Sequence, residues 1–76
     1  MLTKTFVLKY KVSIFESAKP LTFEATEKSA EALAREHARN IYQATNVANF
    51  DLHWPDGSIT NFYLSEEERM VPVQHD

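Results

Sequence analysis

From Thr3 to Phe15 the chain alternates, with Phe6, Leu8, Tyr10, Val12 and Ile14 on one side and Thr3, Thr5, Val7, Lys9, Lys11 and Ser13 on the other. A period of two predicts a long strand with one face buried. Glu16-Ser17-Ala18-Lys19-Pro20 interrupts it with turn-forming residues and a proline that cannot donate to a ladder. Leu21, Phe23 and Ala25 then alternate with Thr22, Glu24 and Thr26, which predicts a shorter second strand antiparallel to the first.

The period then changes to that of a helix. Ala30, Leu33, Ala34, His37, Ala38, Ile41 and Ala44 form one stripe, predicting a helix from Glu27 to about Thr45 with Thr26 as its N-cap and Ala25 packed back on Ala30. The many alanines allow close approach to a sheet. Glu31 and Arg35, on the far side with Arg39, are spaced for an ion pair one turn apart. Asn46 suits the left-handed residue that ends a helix.

The clearest local signal lies between Phe50 and Leu64, where Trp54-Pro55-Asp56-Gly57-Ser58 reads as a hairpin turn. Pro55 and Asp56 fit the central positions of a type I turn, and Gly57 can take the positive φ of the following bulge. Pairing Trp54 with Ser58 sets Leu52 opposite Thr60, Phe50 opposite Phe62 and Ala48 opposite Leu64, all on the buried face. Asn49, Asp51, His53, Ile59, Asn61 and Tyr63 then share the other face. Ser65-Glu66-Glu67-Glu68 has capping-box spacing and predicts one helical turn, with Pro72 stopping anything longer. The tail from Met70 to Asp76 is expected to be loosely held, with Met70, Val71 and Val73 available to close an edge of the core.

These elements predict one α+β domain over residues 1–76, with a core over 1–69 and the tail beyond. The architecture is ββαββ, an antiparallel four-stranded sheet with one helix on one face. A crossover after the second strand places the first strand between the second and third, giving the order 2-1-3-4, with 2-1-4-3 as the alternative. Trp54, beside the turn, has two readings: a lid over the core or an exposed anchor for a partner.

With 76 residues the chain is near the lower limit for folding unaided. It has no cysteine, which excludes disulfides and thiolate chemistry as sources of stability or function. No apolar run spans a bilayer and the first residues lack a signal-peptide core, so a cytoplasmic location without a membrane role is expected. Net charge is −3, unevenly spread. Residues 1–19 carry Lys4, Lys9, Lys11 and Lys19 against Glu16, and residues 40–76 carry six acids against Arg69.

Candidate chemistry is sparse. His37, His53 and His75 fall on a helix, a strand and the tail without ligand spacing, so no metal site is expected, nor any cofactor. Asp51 and His53 share a face and resemble a general-base pair in composition only. They stand about 7 Å apart along one strand, with no nucleophile or enclosed pocket beside them, and no catalytic residue is assigned. The open face, with Val7, Lys9, Lys11, Asp51, His53, Ile59, Asn61 and Tyr63, has the apolar centre and polar rim of a protein interface.

The first functional expectation is therefore a non-enzymatic protein-binding module or small regulator, docking on another protein or on a second copy of itself. The lysines beside Tyr63 raise single-stranded nucleic acid as an alternative. The acidic total, Glu24 and Asp51 on the same face and the lack of an aromatic-glycine RNA-binding motif weigh against it. The general plan, a capped alanine-rich helix between two hairpins in a short acidic chain without cysteine, resembles many small accessory proteins of bacteria and their phages, including inhibitors of host enzymes. That resemblance implies a further alternative, inhibition of a host enzyme, and assigns no residues.

Overall fold

The computed structural model describes residues 2–70. The elements in chain order are β1 (Lys4–Tyr10), β2 (Lys19–Ala25), α1 (Ala30–Thr45), β3 (Asn49–His53), β4 (Ile59–Tyr63) and α2 (Glu66–Met70). The four strands form one antiparallel sheet in the expected order β2-β1-β3-β4, and not in the alternative 2-1-4-3.

The hairpin register is the predicted one throughout. Phe50 faces Phe62, Asp51 faces Asn61, Leu52 faces Thr60 and His53 faces Ile59. The turn is closed by the Gly57 N–H on the Trp54 carbonyl (3.0 Å) and the Trp54 N–H on the Ser58 carbonyl (2.9 Å), with Gly57 at φ +93°. Asp56 braces the bulge: its carboxylate accepts from the Ser58 hydroxyl at 2.7 Å and the Ser58 N–H at 2.9 Å. Those donors hold its carboxyl below the usual range, the hydroxyl most of all.

The core lies between α1 and one sheet face. Phe6 and Leu8 of β1, Phe23 and Ala25 of β2, Phe50 and Leu52 of β3, and Leu64 pack with Ala30, Ala34 and Ala38. Each buried Phe or Leu contributes about 1.5–3 kcal/mol, and the alanine row at a spacing of four is what lets the helix lie close enough to seal them. Trp54 is the lid. Its ring meets Phe6 edge-on with centroids 5.3 Å apart, and its indole N–H donates to the Thr60 hydroxyl at 2.9 Å. That geometry satisfies both the apolar body and the polar tip of the indole.

Several expectations are corrected. The first strand ends at Tyr10 and not at Phe15, and Val12 and Ile14 are exposed instead of facing the core. Three causes act together. β3 reaches β1 only as far as Lys9, the helix ends at Thr45, and Ser13 folds the chain into a turn by accepting from Phe15 and Glu16. Beyond Tyr10 neither β3 nor α1 extends far enough to bury the alternating side chains. Pro20 lies within β2 and does not precede it, tolerated because β2 is an edge strand.

The helix begins at Ala30, three residues later than predicted, with Ser29 as its cap residue. Thr26 nevertheless performs the capping chemistry one turn earlier. Its Oγ1 accepts the Ser29 N–H (3.2 Å) while its own N–H donates to Ser29 Oγ (3.1 Å), a reciprocal box over residues 26–29. At the other end Asn46 adopts φ 63° and donates to the Tyr42 carbonyl at 2.8 Å, as predicted. Ala44 is exposed and Tyr42 takes a place against the core instead.

Arg35 does not pair with Glu31. It turns over the Phe62 ring at 5.0 Å and reaches Glu68 of α2. The predicted box at Ser65 and Glu68 forms, with Ser65 N–H to Glu68 Oε1 at 3.1 Å and Glu68 N–H to Ser65 Oγ at 3.2 Å. Met70 is exposed and closes no edge of the core. The expectations for Val71, Pro72, Val73 and His75 lie outside the described residues.

Candidate functional site

The sheet face opposite α1 is built in rows that the register dictates. Thr22, Val7, His53 and Ile59 lie side by side across β2, β1, β3 and β4, and Pro20, Lys9, Asp51 and Asn61 form the next row. Asn49 and Tyr63 begin a third. Seven of the eight candidate residues therefore share the face as predicted: Val7, Lys9, Asp51, His53, Ile59, Asn61 and Tyr63. Lys11 does not. It lies past the end of β1, in the loop before β2.

Apolar and polar groups on this face are segregated. Val7 and Ile59 flank His53 in one row, whereas Lys9 and Asn61 flank Asp51 in the other. Ile59 and Tyr63 are the most open of the large apolar groups on this face, at 58% and 66% exposure. The Asn61 side-chain amide ties three acceptors of β3 together, donating to Asn49 Oδ1 at 2.8 Å, Asp51 Oδ1 at 2.9 Å and the Phe50 carbonyl at 3.2 Å. Asn61 thus holds one carboxylate oxygen of Asp51. The Asn61 clamp was not read from the sequence, although its signal, an asparagine opposite Asp51 and diagonal to Asn49, was present in the register.

At the end of the sheet nearest the helix C-terminus the face runs into an open groove of about 470 Å³. Lys9, Asp51 and Tyr63 line it from the face, Tyr10 and Lys11 from the end of β1, and Asn46 from the helix end. Lys11 joins the candidate site only here, as a wall of this groove.

His37, on the buried side, stacks at a tilt on Phe23 with centroids 5.1 Å apart, a packing role at the sheet margin. Among the described residues no group of three or more His, Asp or Glu side chains converges on one point, and no helix is long and apolar enough to cross a membrane. Compared with known protein families, with curated proteins and with solved structures, the chain matches none.

Proposed function

We propose that this chain is a non-enzymatic protein-binding module that docks a partner on its open sheet face. The observation that carries the reading is that no described element covers this face, which holds Val7, Ile59 and Tyr63 among Lys9, Asp51, His53 and Asn61. Apolar side chains interspersed with polar groups on an uncovered face suit docking of another protein. Catalysis is the weaker fit, because the face and its groove are open to water and the Asp51 carboxylate accepts from Asn61.

The test is affinity capture from native lysate with the unaltered chain, Val7→Glu and Lys9→Glu, read by mass spectrometry and then by titration of the captured protein. Lys9 is exposed and Val7 half-buried, both on the face opposite α1 and outside the core, so thermal melts of both variants accompany the capture. A protein held by the unaltered chain and released by both variants supports the reading. A partner held equally by all three moves the site off this face.

A second reading, single-stranded nucleic acid, draws support from Lys9, Lys11, Tyr10 and Tyr63 around the groove. Asp51 in the same wall works against it. Titration with single-stranded RNA and DNA at low salt decides it, since phosphate-driven binding is strongest there.

A further inference from the structure

The phase of the β3–β4 ladder is set at both ends, by the Trp54 N–H on the Ser58 carbonyl and the Leu64 N–H on the Ala48 carbonyl. Pairs alternate between hydrogen-bonded and non-hydrogen-bonded along an antiparallel ladder. Thr60 and Phe62 therefore turn their backbone groups inward to β3, and Ile59, Asn61 and Tyr63 turn theirs to the outer edge. No described strand pairs with that edge.

The two sheet edges differ in how they are guarded. β2 carries Pro20 together with Lys19 and Glu24, the kinds of residue that discourage edge pairing. β4, Ile-Thr-Asn-Phe-Tyr, has no proline and no charge. Its outward pattern is also self-complementary. In an antiparallel pairing of two copies centred on Asn61, Asn61 meets Asn61 and Ile59 meets Tyr63 on each side. All three are then hydrogen-bonded pairs, so every outward N–H and C=O of both strands finds a partner. The same register lays Ile59 on the Tyr63 of the other copy twice, on the open face, covering the most exposed large apolar groups there.

We infer that the chain forms a two-fold dimer by edge pairing of β4 with β4 in the register centred on Asn61. The two-fold axis runs perpendicular to the sheet, so the two open faces become one continuous eight-stranded surface with both helices on the opposite side. The inference stands independently of what that surface binds.

The test combines size-exclusion chromatography with light scattering over a concentration series and a single-cysteine cross-link, which is clean because the chain has no cysteine of its own. The unaltered chain is expected at twice the mass of one copy. Ile59→Lys with Tyr63→Lys sets lysine opposite lysine in both outer pairs and weakens dimerisation by at least about tenfold, with circular dichroism unchanged and Val7→Glu still dimeric. Asn61→Cys places two thiols across the axis with Cα atoms about 5.5 Å apart, so a short bismaleimide joins the chains, whereas Thr22→Cys on the β2 edge gives no such product. A monomer at every concentration overturns the inference, as does a dimer that survives the double lysine variant or fails to cross-link through Asn61→Cys.

Discussion

Arg35 Nη1 donates to both carboxylate oxygens of Glu68, at 2.8 and 3.0 Å, joining the middle of α1 to α2 across 33 positions of sequence. The same guanidinium covers the Phe62 ring, and the same carboxylate caps its own helix through the Ser65 N–H. Burial pushes the Glu68 carboxyl up, but the Ser65 N–H and Arg35 together outweigh it and hold the group below the ordinary glutamate range.

The contact makes stability depend on acid. Because folded Glu68 titrates below an unfolded glutamate, its contribution is whole above about pH 4.3 and is lost as pH falls through the folded value. Arg35 is more than a third exposed, so solvent screening limits the pair to about 0.5 kcal/mol. Glu68→Gln is expected to unfold at lower temperature than the unaltered chain at neutral pH. The gap should close on acidification, and paired thermal melts across pH read it directly.

The indole of Trp54 serves the core through its ring and the hairpin through its N–H. Trp54→Phe keeps an aromatic edge on Phe6 but removes the donor to Thr60, at a cost of about 1 kcal/mol. Trp54→Ala also opens the core above Phe6 and costs about 3 kcal/mol. Urea titrations of the two variants separate packing from hydrogen bonding.

Gly57 stands in open space among the described residues, with no heavy atom beyond its chain neighbours within 4 Å of where a Cβ would sit, and yet it has φ +93°. Gly57→Ala therefore pays only backbone strain, about 1 kcal/mol, with the hairpin register retained. A lower urea midpoint with unchanged amide shifts in β3 and β4 is the expected result.

Ile14 and Phe15 are 87% and 91% exposed at the tip of the loop joining β1 to β2. Replacing both with serine is expected to change stability by less than about 0.5 kcal/mol, whereas Leu8→Ala, only a few residues earlier on the same alternating pattern, costs about 2–5 kcal/mol. Equal losses from the two would return Ile14 to the core.

Much of this architecture was legible because the signals were local. The Pro55-Asp56-Gly57 turn dictates which residues of β3 and β4 face each other, and one phase assignment sorts Phe50 and Leu52 inward from Asp51, His53 and Tyr63. Asn46 and the Ser65–Glu68 box could be read for the same reason, since each closes bonds within a few residues.

What the sequence determined by itself was thus the order of the elements, the hairpin register and the identity of the open face. Tertiary structure decided where alternation stops mattering, whom Arg35 meets and what Trp54 covers. A period of two continues through Val12 and Ile14, but a strand is buried only where a neighbouring strand and a covering helix both extend, and those limits are properties of β3 and α1. Arg35 had a sequence neighbour in Glu31, yet the exposed pair one turn away offers only a few tenths of a kcal/mol. Folding of β4 and α2 over the helix supplied an aromatic face and a carboxylate already held by its own cap.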